Sequence, residues 1–129
     1  MLNNRGQLIS NGVLLRGHES DSIRFLVEHG FSVELIIPSY TPHNKNADLI
    51  TEGKIWELKT PVTSKKETIK RKFKESGKQS ENVIIDLRFC GIADEQSLSV
   101  LKYELSNTRR VKRMIVVTRK GQMLRFGRR

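Results

Sequence analysis

The chain has 129 residues and a formal net charge of +10, with 29% charged and 36% hydrophobic residues. That length allows one domain with one modest core, the composition excludes a disordered chain, and no apolar run approaches the length of a membrane span. The single Cys90 excludes a disulfide framework and a cysteine zinc cluster, while the basic excess points to a polyanionic partner, nucleic acid ahead of an anionic membrane.

Residues 1–16 read as an N-terminal arm or a small hairpin about Ser10-Asn11-Gly12, because Asn-Gly suits a tight turn. Residues 17–129 read as a single domain. The opening MLNNRGQLISNG lacks the apolar stretch of a signal peptide, so a secretion or delivery signal is not expected to be visible in this chain. His18–Gly30 predicts a helix, with Ile23, Leu26 and Val27 on one face and Gly30 at its end. Phe31–Pro38 is a strand stopped by its proline. The polar loop that follows contains His43, the one histidine placed to act as a general base. Asn46–Thr51 and Lys54–Thr60 form a strand pair about Glu52-Gly53. Lys65–Ser76 is a lysine-rich helix with Ile69 and Phe73 inward, and Val83–Leu87 is a buried strand. Asp94–Ser106 is a helix with Leu98, Leu101 and Leu105 at helical spacing, and Met114–Gly127 is a closing hairpin that turns at Lys120-Gly121. The order α-β-β-β-α-β-α-β-β implies an α/β or α+β fold, a mixed sheet with helices packed on it.

The pair about Glu52-Gly53 carries the chemistry. With those two residues as the turn, Thr51 pairs with Lys54, Ile50 with Ile55 and Asp48 with Glu57. Side chains alternate between faces, so Asp48, Ile50, Ile55, Glu57 and Lys59 share one side, and Leu49, Trp56 and Leu58 face a core. Two carboxylates opposed across a strand pair repel. A divalent cation held by Asp48 and Glu57, Mg²⁺ or Mn²⁺, would compensate, and could activate water or polarise a phosphoryl oxygen, with Lys59 alongside to orient the nucleophile or hold developing charge. An exposed Glu57–Lys59 ion pair, with Asp48 capping a loop, accounts for the same residues without chemistry.

An aspartate followed by Glu-x-Lys, behind a helix and a strand, resembles the PD-(D/E)XK nuclease core. Here the residues are Asp48, Glu57 and Lys59, with Ala47 in place of that motif's proline. The family's first helix often adds an acid to the metal site, and Glu19 in GHES stands where that acid would be. A narrower resemblance runs from about Gly17 to Arg125. The segments NADLITEGKIWELKTP, SGKQSENVIIDL and RRVKRMIVVTRKGQMLRFG look like the C-terminal tRNase domains of CdiA-type contact-dependent inhibition toxins and their phage and mobile-element relatives. That resemblance implies cleavage of RNA, with tRNA as the expected substrate, in the cytoplasm, a cognate immunity protein as partner, and neither a membrane partner nor a small-molecule cofactor. Several such toxins instead have the metal-free barnase/EndoU/colicin/RelE fold, in which case Thr60, Ser64, Lys78 and Gln79 would carry catalysis or position the substrate. A non-catalytic nucleic-acid-binding module of a mobile element is the third reading.

Basic residues concentrate in Lys65–Lys78 and beyond Arg109, and no acid follows Glu104. Lys65, Lys66, Lys70 and Lys78 are expected to follow a phosphate backbone near the strand pair. Arg88, two residues after Asp86, is either its ion-pair partner or a further phosphate contact.

Overall fold

The computed structural model describes residues 5–38 and 48–127. His43 lies outside the described residues. The elements run β1 (Leu8–Ile9), α1 (Gly17–Glu28), β2 (Val33–Leu35), β3 (Leu49–Thr51), β4 (Lys54–Lys59), α2 (Lys66–Gly77), β5 (Asn82–Asp86), α3 (Asp94–Ser106), β6 (Arg113–Val117) and β7 (Met123–Gly127). From α1 onward this is the expected order. The seven strands form one open mixed sheet in sequential order, with three helices packed on it.

Of the two readings of the N-terminal segment, arm or small hairpin, its described residues do not close into the hairpin. Its turn forms, with Asn11 and Gly12 at φ 51° and 77°. The returning strand does not: Leu8 and Ile9 pair parallel with Val33 and Glu34 of β2 instead. Gly6 makes this docking possible, because a Cβ there would lie 1.9 Å from the Phe31 carbonyl oxygen.

The β3–β4 register is the one that the turn chemistry demands. Glu52 and Gly53 both adopt positive φ, 55° and 71°, which is the geometry of a two-residue hairpin turn. Thr51 pairs with Lys54, Ile50 with Ile55 and Leu49 with Trp56. From β4 the chain crosses through α2 to the parallel β5, then through α3 to the parallel β6. Both crossovers step the same way across the sheet, which puts both helices on one face. β5 lies inside the sheet between two parallel neighbours, β4 and β6, and is buried at all five positions, as a parallel strand covered on both sides must be.

Alternation along the strands divides the core in two. Leu49, Trp56, Leu58, Ile84 and Ile115 pack with Ile23, Leu26 and Val27 of α1. Val83, Ile85, Met114 and Val116 pack on the other face with Ile69 and Phe73 of α2 and Leu101 of α3. Cys90 is buried in the second cluster as a small hydrophobe. Glu57 and Lys59 have the parity of Val83 and Ile85, their partners on β5, and so emerge on the α2 side. Among the described residues no helix is long and apolar enough to cross a membrane.

Candidate functional site

Asp48 sits where the β3–β4 ladder ends. Its amide donates to the Trp56 carbonyl at 3.0 Å and its carbonyl accepts from Ile36 at 3.0 Å. Its carboxylate Oδ2 accepts the Leu58 amide at 2.7 Å. A side chain thus takes over from the backbone ladder, and this fixes the carboxylate against β4 beside Glu57. Glu57 is 5% exposed. Its Oε2 lies 3.5 Å from Lys59 Nζ, while its Oε1 is buried with no hydrogen-bond partner among the described residues.

That environment pushes the Glu57 carboxyl up to about 8, through burial first, then the Asp48 charge and a hydrogen bond shared with Asp48, against the pull of Lys59. Mutual repulsion alone would raise one of the two acids; here burial adds more than the neighbouring charge does. Glu19, in the first turn of α1, is also raised, by partial burial and then by Asp48, with Lys59 opposing. Asp48 therefore acts on both glutamates and Lys59 counters it at both. Glu19, Asp48, Glu57 and Lys59 form one electrostatic group at the C-terminal end of β4.

Lys59 has a second carboxylate partner that sequence reasoning missed. Glu75 of α2 approaches its Nζ to 3.8 Å, and also meets Arg71 and Lys72 on its own helix at 3.8 Å each. The spacing of Arg71, Lys72 and Glu75 showed the intrahelical pairs. Ile69 and Phe73 show which side of α2 is inward, but nothing in the sequence showed that Glu75, on its flank, would reach Lys59.

The remaining predicted residues do not all converge. Thr60 is half-buried and Ser64 exposed in the loop after β4, whereas Lys78 and Gln79 follow the far end of α2. The twelve-residue helix between them is about 18 Å long. Lys65 and Lys66 are exposed at the start of α2, whereas Glu75, which reaches Lys59, sits in its last turn. Lys70 points elsewhere: with Lys74, Lys78, Tyr103 and Arg110 it lines a groove of about 490 Å³ between α2 and α3. Arg88 is held by the 1%-exposed Asp86, with its Nη2 at 2.9 Å from Oδ2 and its Nε at 3.1 Å from Oδ1. Ser22 of α1 donates to the same carboxylate at 2.5 Å.

Asp48 and Glu57 offer hard oxygen donors, and the orphaned Oε1 of Glu57 is the atom that most needs a partner. Among the described residues no three His, Cys, Asp or Glu side chains gather as a ready ligand cluster. A cation here would rest on one or two carboxylates and take its other ligands from water or substrate phosphate, which is how Mg²⁺ is commonly bound.

Residues 45–123 match the family model described as the contact-dependent growth inhibition CdiA C-terminal domain. The matched span contains Asp48, Glu57 and Lys59 but not Glu19. No curated protein matches the sequence. Among solved structures, the fold is similar to a chain of the "CdiA-CT/CdiI toxin and immunity complex from Burkholderia pseudomallei". The TM-score is 0.73 at 17% identity, over 95% of this chain and 100% of that one. At that identity the likeness is one of fold.

Proposed function

The chain belongs to the contact-dependent growth inhibition CdiA C-terminal domain family, and on that premise we propose that it is a toxin nuclease that hydrolyses RNA, with tRNA as the expected substrate. The observation that carries this reading is the Glu57 carboxyl: buried, missing a partner at Oε1, raised to about 8, and set between Asp48 and Lys59. Burying an acid without satisfying it costs stability. Such perturbed groups concentrate at functional sites.

Asp48 and Glu57 are the residues that would hold Mg²⁺ or Mn²⁺. A divalent cation there would supply a polarised phosphoryl oxygen and a more acidic water. The protein's own residues do the rest. Asp48 is held in place by the Leu58 amide. Lys59, shared between Glu57 and Glu75, holds positive charge where the phosphate would become more negative. Glu19 adds a third carboxyl at the mouth of the site. Lys65 and Lys66 stand at the positive end of α2, where basic residues are unfavourable for the helix dipole, and a phosphate backbone would offset that cost. The separation of Thr60 and Ser64 from Lys78 and Gln79 speaks against a metal-free constellation built from those four.

A cognate immunity protein is part of the proposal, by analogy with the toxin and immunity complex whose fold the chain resembles. The test is incubation with total tRNA, with and without Mg²⁺ or Mn²⁺, followed by end-group analysis. Metal-dependent cleavage is expected. Cleavage that persists in EDTA and leaves 2′,3′-cyclic phosphate ends would replace this mechanism with the metal-free one. Stable RNA binding without cleavage in either metal would leave a binding module.

A further inference from the structure

Beside Glu19 lies a row of stacked rings that neither hydrophobic core uses. Of the five phenylalanines, Phe31, Phe73 and Phe126 belong to or pack against a core cluster, and Phe25 and Phe89 do not. These two are half-buried and stack on polar planes instead. His18 lies on Phe89 with centroids 3.9 Å apart and planes at 25°. His29 lies on Phe25 at 3.9 Å and 23°. The Arg88 guanidinium links the pairs, 4.3 Å from the Phe25 centroid and 5.2 Å from that of Phe89.

On the nuclease reading above, we infer that this row is a stacking platform for an unpaired nucleobase of a single-stranded RNA substrate, with His18 and Phe89 as its working end. The platform is rigidly built. Asp86, buried at the end of β5, holds Arg88 by two nitrogens, and the Asp21 carbonyl accepts a further bond from Nη2 at 3.3 Å. Arg88 is thereby fixed as a flat cationic layer and is committed to carboxylate rather than to phosphate. His18 is exposed in the first turn of α1, the same turn that carries Glu19, so a base on its ring lies at the end of α1 that bears that carboxyl group. Flat aromatic and guanidinium surfaces recognise bases only where these are unstacked, in loops, bulges and ends. Duplex RNA cannot use such a surface. The platform therefore selects for a scissile phosphate next to an unpaired base.

The test uses a short single-stranded RNA carrying one 2-aminopurine, whose fluorescence is quenched on stacking, and the fully paired duplex of the same sequence. Wild-type protein in EDTA is expected to quench the single strand and not the duplex. His18→Ala and Phe89→Leu should each weaken single-strand binding roughly tenfold and reduce the quench, whereas His18→Trp should retain both. Phe89→Leu keeps apolar volume, and His18 is exposed, so folding is not at stake in the latter. Unchanged quenching in His18→Ala and Phe89→Leu would overturn the inference, even if the wild type cleaves RNA. Quenching that depends on His18, in a protein that cleaves no RNA under any condition, would uphold the platform and remove the nuclease reading.

Discussion

Two glutamates five residues apart on one hairpin have opposite fates. Glu52, at the tip, accepts two bonds from Arg125 of β7, at 2.8 Å and 2.7 Å, so both of its oxygens are satisfied. Its carboxyl is held below the usual range, chiefly by those bonds. Glu57 is buried, has one oxygen near Lys59 and one with no partner among the described residues, and is raised to about 8. The first is an acid used to tie strands together at the surface. The second is buried at a cost to stability, a cost that the proposed function would account for.

The contrast breaks most sharply by substitution at Glu57. Glu57→Gln should lower RNA cleavage by roughly 10²–10³-fold or more, while its melting temperature at pH 8 equals or exceeds that of the wild type. Both are read on one preparation, by a tRNA cleavage assay and by calorimetry. An active Glu57→Gln protein would make Glu57 merely a strained core residue.

The second test is the sign of the pH dependence. Glu57 has a folded pKa of about 8 against an ordinary 4.5, so the folded state binds the extra proton between those values. Its contribution to stability is complete below about 4.5 and is lost as pH rises through about 8. Glu52, with its lowered pKa, contributes stability that is present above 4.5 and lost in acid. Wild-type melting temperature in EDTA should therefore fall from pH 5 to pH 8.5, and Glu57→Gln should flatten that slope. Mg²⁺ or Mn²⁺ should restore stability at the alkaline end, because a ligand that binds the ionised native site stabilises it. A flat wild-type profile with no response to either cation would remove the metal from the reading.

These two acids also show how far sequence reasoning reaches. The Glu52-Gly53 turn fixes the register, and the register fixes which side chains share a face, so the grouping of Asp48, Glu57 and Lys59 was legible before any coordinates. The helix Asp94–Ser106 was legible to the residue, because its leucines repeat at helical spacing. What was not legible depends on contacts between distant segments. The arm's parallel pairing with β2 rests on the close approach of Gly6 to Phe31. Glu75 reaches Lys59 only through the roll of α2 about its axis, and that same roll turns Lys70 into the groove beside α3. The Glu52–Arg125 pair joins residues 73 apart in sequence.

A weaker test concerns the two lysines that this roll separates. Each phosphate contact on a single strand contributes about −0.7 to the slope of log K against log salt. Lys66→Glu should reduce the magnitude of that slope by about one contact, as measured by fluorescence anisotropy on single-stranded RNA at several salt concentrations. Lys70→Glu should change it less if the RNA follows the start of α2 rather than the α2–α3 groove. Equal effects would extend the RNA path into the groove.

The smallest expected effect lies at the satisfied acid. Arg125 reaches from β7 to the β3–β4 tip, and its guanidinium also lies over Phe31, 5.3 Å from the ring centroid. The pair is largely exposed, with side-chain exposures of 55% and 40%. Solvent therefore screens it, and exposed ion pairs contribute about 0.2–1 kcal/mol. Its bidentate geometry argues for the upper part of that range. A double-mutant cycle with Glu52→Gln and Arg125→Ala, followed by urea unfolding, should give a coupling within it that shrinks in high salt, with RNA cleavage near the wild-type level in Glu52→Gln. Loss of cleavage in Glu52→Gln comparable to that in Glu57→Gln would mean that activity depends on the hairpin as a whole, and the distinction between a tying acid and a working acid would fail. Retained cleavage with a small, salt-sensitive coupling would confine the chemistry to the end of the hairpin where an oxygen was left without a partner.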